Sequence, residues 1–248
     1  MPNRAVETKV LQRDGTSKVT RPPTKPEPND WFWMGAAFAG SFALALLAVT
    51  IHGVNFKSLI LALRLTGRWS FLPFWLAYAG GAMATLFGRT FVPLANRRRQ
   101  FGLAYAAALS GHLGLIAIFY LRASHLPLSG KLLFFFLTAA CWTYVLTLFS
   151  FGGLAAKLGA ANWRALRFVG MNYILYAFWS DFGPATFHPG TSDTLVHTLA
   201  YTPFALMALA APLLAVGAFV VRRWRTSRTG HAPSADTLAT DRSEARAS

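Results

Sequence analysis

Apolar residues run in six long blocks along this chain, separated by shorter polar stretches that hold nearly all of its charge. The blocks are Trp31–Ile51, roughly Ser70–Gly88, Gln100–Tyr120, about Leu132–Gly152, Trp163–Ser180 and about Leu195–Val221. Each comes close to the ~20 residues that, at ~1.5 Å of helical rise, cross a hydrocarbon core ~30 Å thick. The pattern therefore predicts an all-α, polytopic membrane protein built as a six-transmembrane-helix bundle. The fifth block is short and begins among Arg164 and Arg167, whose long side chains must reach back to the interface. The first block opens on Trp31 and Trp33, which suits an interfacial aromatic belt.

The placement of charge supports this division. No Asp or Glu occurs between Trp31 and Ser180, although the chain as a whole is 13% charged. A soluble domain could not leave so long a stretch without an acid and stay well solvated. Nineteen of the 24 lysines and arginines fall on one side if the N-terminus is cytoplasmic, so the positive-inside rule puts both termini in the cytoplasm. The net charge of +15 then reflects basic flanks on membrane helices, and nucleic acid is not an expected partner.

Three regions follow. Residues 1–30 form a polar, proline-bearing leader, expected to be disordered, cytoplasmic and free of a cleavable signal peptide. Residues 31–221 form the membrane domain, and residues 222–248 a basic tail, also expected to be disordered. Asn55–Leu65 has a helical rhythm that lets it lie on the outer membrane surface or extend the second span. Small residues such as Gly40, Ser41, Gly80 and Gly81 are expected to let helices approach closely. The single cysteine, Cys141, is expected to be a packed, inert thiol.

His112 stands out chemically. It lies 13 residues beyond Arg99, about 20 Å into the third block, where a polar ring is costly unless something holds it. With His52, His125, His188 and His197 it falls on the outer half of the membrane domain, an arrangement compatible with one b-type haem. As a packing residue, His112 has Ser110, Tyr105 or a carbonyl of a neighbouring helix as hydrogen-bond partners.

Four short motifs bear a family resemblance. They are Thr66-Gly67-Arg68-Trp69, then Arg98-Arg99-Gln100-Phe101-Gly102-Leu103 followed by His112, then Lys157-Leu158-Gly159 with Trp163-Arg164-Ala165-Leu166, and finally Tyr176-Ala177-Phe178-Trp179. Together they resemble the haem-binding membrane subunit of the bacterial periplasmic methionine sulfoxide reductase system, within the ferric-reductase-like transmembrane group. The similarity covers roughly Trp31–Val221. It implies a multi-pass protein of the bacterial inner membrane that passes electrons from a quinone or cytoplasmic flavin donor, across haem b, to a periplasmic redox partner.

Two family ligand positions are changed here. Arg167 and Tyr176 stand where the resemblance implies histidines, and only His112 matches. A guanidinium cannot ligate iron, but it can pair with an acidic headgroup or a haem propionate. The expectation is at most one haem b, with His112 as metal ligand and His197 or Tyr176 as the other axial residue. Two alternatives stand beside it. One is a haem-free six-helix scaffold or partner protein, and the other a small-molecule carrier, which the absence of any acid from the six blocks disfavours. No Gly-rich nucleotide motif is present, so an electron donor has to be a separate molecule.

Overall fold

The computed structural model describes residues 28–123, 129–151, 154–187 and 194–229, and no strand occurs among them. The helices are α1 (Pro28–His52), α2 (Phe56–Phe87), α3 (Val92–Asn96), α4 (Arg98–Arg122), α5 (Gly130–Ser150), α6 (Leu154–Leu158), α7 (Ala160–Phe187) and α8 (Thr194–Thr229). A 3-10 turn, Arg89–Phe91, follows Gly88, whose φ of 81° ends α2 in a conformation that glycine adopts without strain. Five helices, α1, α2, α4, α5 and α8, are long and apolar enough to cross a membrane. Their outward faces carry Phe42, Leu47, Phe134, Leu148, Leu213 and Phe219, all exposed. Large apolar surfaces of this kind suit lipid, not water. The chain is an all-helical, multi-pass membrane protein.

The second block is longer than its apolar pattern suggested. Asn55 caps α2 by accepting from the Ser58 backbone N–H at 3.0 Å, and the Ser58 hydroxyl lies 3.3 Å from the Asn55 N–H. This reciprocal cap starts the helix directly after the α1–α2 turn, so Asn55–Leu65 extends the second span as one continuous helix. At the other end of the chain, α8 runs on past the Arg222–Arg225 cluster to Thr229. The leader up to Glu27 and the tail beyond Thr229 lie outside the described residues.

Contacts between helices fix their relative directions. Thr66 meets His112 and Ala77 meets Arg98, so α2 and α4 are antiparallel. Asp30 meets Arg99 and Ser41 meets Ala108, so α1 and α4 run the same way. Trp75 donates to Met207 O at 2.7 Å and Arg222 donates to Thr85 Oγ1 at 2.7 Å, so α2 and α8 are parallel. Tyr78 reaches Asn172, whereas Phe71 stacks edge-on with Phe182, so α7 opposes α2. The six long helices therefore alternate in direction, and the start of α1 and the end of α8 lie at one end of the bundle.

The core is aromatic and centred on α2. Phe71 and Phe74 are fully buried, and Phe178, Phe182 and Phe204 surround Phe71 with ring centroids 4.9–6.0 Å away. Such pairs add about 0.5–1.5 kcal/mol each beyond the area they bury. The small residues serve close approach as expected. Gly40 lies under the Trp69 indole, Gly111 against Ser41 and Gly170 against Trp142. Cys141 differs from the expectation: it lies on the exposed face of α5, because the buried side of that helix is taken by Ala139, Ala140, Thr143 and Leu146. Trp33 also turns inward, packing edge-on against Phe101 at 5.5 Å, while Trp31 stays exposed.

One ion pair anchors α1. Arg99 Nη1 lies 2.8 Å from Asp30 Oδ2, and Asp30 is 1% exposed. Charge-assisted hydrogen bonds of this kind contribute about 1.5–3 kcal/mol. Asp30→Ala is expected to destabilise the protein by that amount. Arg99→Gln should then cost less in the Asp30→Ala background than in the wild type, a coupling that thermal unfolding of the four proteins in detergent measures.

Candidate functional site

His112 sits on α4 facing α2. Its Nδ1 lies 2.8 Å from Thr66 Oγ1, and that hydroxyl also lies 2.8 Å from Ala62 O, one turn earlier on α2. A threonine hydroxyl has one proton and a carbonyl can only accept. With the proton directed to Ala62 O, the oxygen accepts from Nδ1–H, which leaves the lone pair of the ring on Nε2. No hydrogen bond to Nε2 occurs among the described residues. Neither Ser110 nor Tyr105 partners the ring: Ser110 Oγ donates to Ala106 O at 2.9 Å and meets Tyr144 Oη, and Tyr105 Oη accepts from Thr143 at 3.1 Å.

The ring lines a cavity of about 430 Å³ enclosed by α2, α4, α5, α7 and α8. Its walls are mainly apolar, from Leu109, Leu113, Ile116, Phe136 and Phe178. Gly67 leaves room beside the imidazole. A Cβ built there would come to 3.4 Å from His112 Cε1 and 3.8 Å from Nε2, against the edge that carries the lone pair. The polar rim consists of Arg64, Arg68, Tyr120, Asp181 and Tyr201. Arg68 lies over the Tyr201 ring at 4.4 Å, and its Nε is buried without a hydrogen-bond partner among the described residues.

A second, smaller cavity of about 190 Å³ lies toward the opposite end, bounded by α2, α4, α5, α6 and α7. Arg98, Arg99 and Arg167 line it. Tyr105 and Ile174 line both cavities and stand between them.

The residues singled out from the sequence fall apart in space. Tyr176 is 59% exposed on the outside of α7, edge-on to Phe135 at 5.6 Å, and it lines neither cavity. It is not brought to His112. Arg167 belongs to the other cavity. His197 lies in the first turns of α8, four residues before Tyr201, which places it one helical turn beyond a residue that lines the His112 cavity. Its side chain is outside the described residues, as are His125, His188 and His231. His52 is exposed at the end of α1, where its carbonyl accepts from Asn55 Nδ2.

Sequence reasoning did not single out Thr66 as the partner of His112. A threonine followed by glycine one turn from a span is common, and only helix pairing shows that the two residues meet. Arg68 was visible as part of the Thr66–Trp69 motif and as a basic flank, but not as a residue of the His112 cavity. Comparison with protein-family models, with curated proteins and with solved structures finds no match.

Proposed function

We propose that this protein is a membrane-embedded b-type haem electron-transfer subunit with altered ligation, holding one haem against His112. The observation that carries the reading is the imidazole held through Nδ1 by Thr66 while the ring lines an apolar cavity. Ligating histidines characteristically give their second ring N–H to an acceptor, which sets the tautomer and raises ligand basicity. The cavity also suits the rest of the group. Its volume lies in the range of about 300–1,000 Å³ typical of ligand pockets, and its walls are apolar. Arg68, with its unsatisfied Nε, and Arg64 at the rim supply cations for propionates.

The chain's own residues then have distinct tasks. With the group bound, His112 would ligate the iron and Thr66 would orient the ring. Gly67 keeps the ligating edge open, and the leucines and phenylalanines of the wall exclude water. His197 would be the second residue to hold the group. When bound, haem supplies one-electron transfer. In this reading α7 is a sixth crossing, since it is 28 residues long and keeps the alternation of direction, with Arg164, Arg167 and Asp181 near its ends. Both termini are then cytoplasmic, and the membrane is a bacterial inner membrane, as the charge bias and the motif resemblance support. The donor is a quinone or a cytoplasmic flavin protein, and the acceptor is a periplasmic redox protein.

A second reading is favoured by one observation. Of the two residues expected opposite His112, Tyr176 does not reach it, because it faces outward on α7. A relative that kept the scaffold and lost the haem would have this arrangement and act as a membrane partner protein. A carrier has less support: Asn172, Tyr173 and Ser180 are engaged with Tyr78, Phe135 O and Tyr176 O.

A reduced-minus-oxidised optical spectrum of the full chain, expressed with adequate haem and purified in mild detergent, separates these readings. A sharp six-coordinate b-haem band pair supports the electron-transfer subunit. A featureless spectrum from monodisperse protein sinks it in favour of the scaffold. Where the bands are present, Thr66→Val, which keeps the shape of the side chain and removes the acceptor, is expected to weaken haem retention by roughly 10–100-fold. Titration of haem into the apoprotein measures it.

A further inference from the structure

The smaller cavity gathers positive charge, and among the described residues one carboxylate faces it. Arg98 Nε donates to Ala77 O at 2.9 Å, and Arg99 Nε donates to Ser150 O at 3.3 Å. These carbonyls hold the two side chains in place, but only the Asp30 carboxylate on Arg99 carries opposite charge. Arg167 reaches the same cavity from α7 and makes no hydrogen bond or ion pair among the described residues. The described residues contain just two acids, Asp30 and Asp181, and Asp181 lies on the rim of the other cavity.

Three guanidinium groups around one cavity, two of them fixed by backbone acceptors, match a tetrahedral oxyanion better than a lone carboxylate does. The opposite wall is apolar, with Phe74, Leu103, Leu146, Trp163 and Met171. Such a wall suits a molecule that carries an apolar tail beside its anionic head. The site lies at the end of the bundle where α1 begins and α8 ends, at headgroup depth for a helix that starts at Arg98.

We propose that the Arg98–Arg99–Arg167 cavity binds a phosphate-bearing anion, with the phosphate of an acidic membrane lipid as its occupant. Arg167 closes the site, and its charge is neutralised only when the phosphate is present. The binding does not depend on haem at His112, so it stands or falls separately from the electron-transfer reading.

The test uses the full chain, delipidated in a neutral detergent, and follows thermal unfolding during addition of phosphatidylglycerol, phosphatidylcholine with the same acyl chains, or inorganic phosphate. Phosphatidylglycerol is expected to raise the midpoint by about 5–10 °C at saturation, and phosphatidylcholine to do much less. In Arg167→Gln the half-saturating concentration rises roughly tenfold, whereas Arg164→Gln, whose Nε bonds Ala160 O outside the cavity, behaves as wild type. Arg167→Lys keeps the charge and retains part of the effect. An equal response to inorganic phosphate upholds the phosphate site and assigns it to a soluble species. Equal shifts with both lipids and none with phosphate overturn the proposal, as does an Arg167→Gln protein that responds like wild type. If Arg167→Gln does not fold, native mass spectrometry of the wild-type chain decides: retention of phosphatidylcholine as strongly as phosphatidylglycerol also overturns it.

Discussion

His112→Ala is expected to take the haem difference spectrum of the purified chain to baseline while its elution profile and helical content stay those of the wild type. The ring contributes one hydrogen bond, to Thr66, and lines a cavity instead of filling a packed core. Its removal thus enlarges an existing space and frees a hydroxyl that still bonds Ala62 O. The structural cost is that of one hydrogen bond, about 1 kcal/mol. The loss of an iron–imidazole bond is far larger, so haem content and fold should separate cleanly. Two companion variants sharpen the result. Tyr176→Phe should leave the spectrum unchanged, since that hydroxyl faces away from the cavity. His197→Ala should broaden a six-coordinate spectrum toward a five-coordinate one if His197 is the opposite ligand. An intact band pair in His112→Ala would remove the residue from the site.

The separation of His112 from Tyr176 shows what spacing along a chain can and cannot supply. The depth of His112 in its helix follows from 13 residues of rise after Arg99, and that calculation needs no partner. Whether Tyr176 faces the same space depends on the rotation of α7 about its own axis. Phe71, Phe74 and Tyr105 set that rotation by packing against Phe178, which turns Tyr176, two residues earlier, toward the lipid side. Rotation is a property of the assembled bundle, and it was not legible in the block of apolar residues.

The fold was legible to the extent that hydrophobic runs and charge bias determine it. Helix positions, the all-helical class and the close approach at Gly40, Gly80 and Gly81 follow from those patterns. Helix lengths were less well given. The start of α2 at Phe56 is set by the Asn55–Ser58 cap, and α7 extends to Phe187 through Asp181 because its buried face, Phe178 and Phe182, continues beyond the apolar block. The Asp30–Arg99 pair joins the start of one helix to the start of another across most of the intervening chain. Its two residues looked like solvated flanks until the parallel arrangement of α1 and α4 brought them together.

The seat of α1 includes one contact with no room to spare, and Gly40→Ala is expected to disrupt it strongly. A Cβ on Gly40 would lie 2.6 Å from Trp69 Cζ2 and 2.9 Å from Nε1. The indole cannot simply swing aside, because Nε1 donates to Ala37 O at 2.8 Å, one turn earlier on the same helix as Gly40. Either the hydrogen bond breaks or α1 moves away from α2 and α4. Overpacking costs about 1–3 kcal/mol and the lost bond about 1 more. A displaced α1 would also weaken Ser41 Oγ to Ala108 O and the contact of Ser41 with Gly111. The expected total is ~2–4 kcal/mol, which for a chain of this size lowers the unfolding midpoint by roughly 5–15 °C. Gly35→Ala supplies the control: it lies on the same helix, and nothing stands within 4 Å of its Cβ position. Comparison of thermal unfolding of the two variants in one detergent isolates the contact, since helix propensity favours alanine equally at both sites. A Gly40→Ala protein as stable as Gly35→Ala would mean that α1 does not pack on Trp69 in the folded protein.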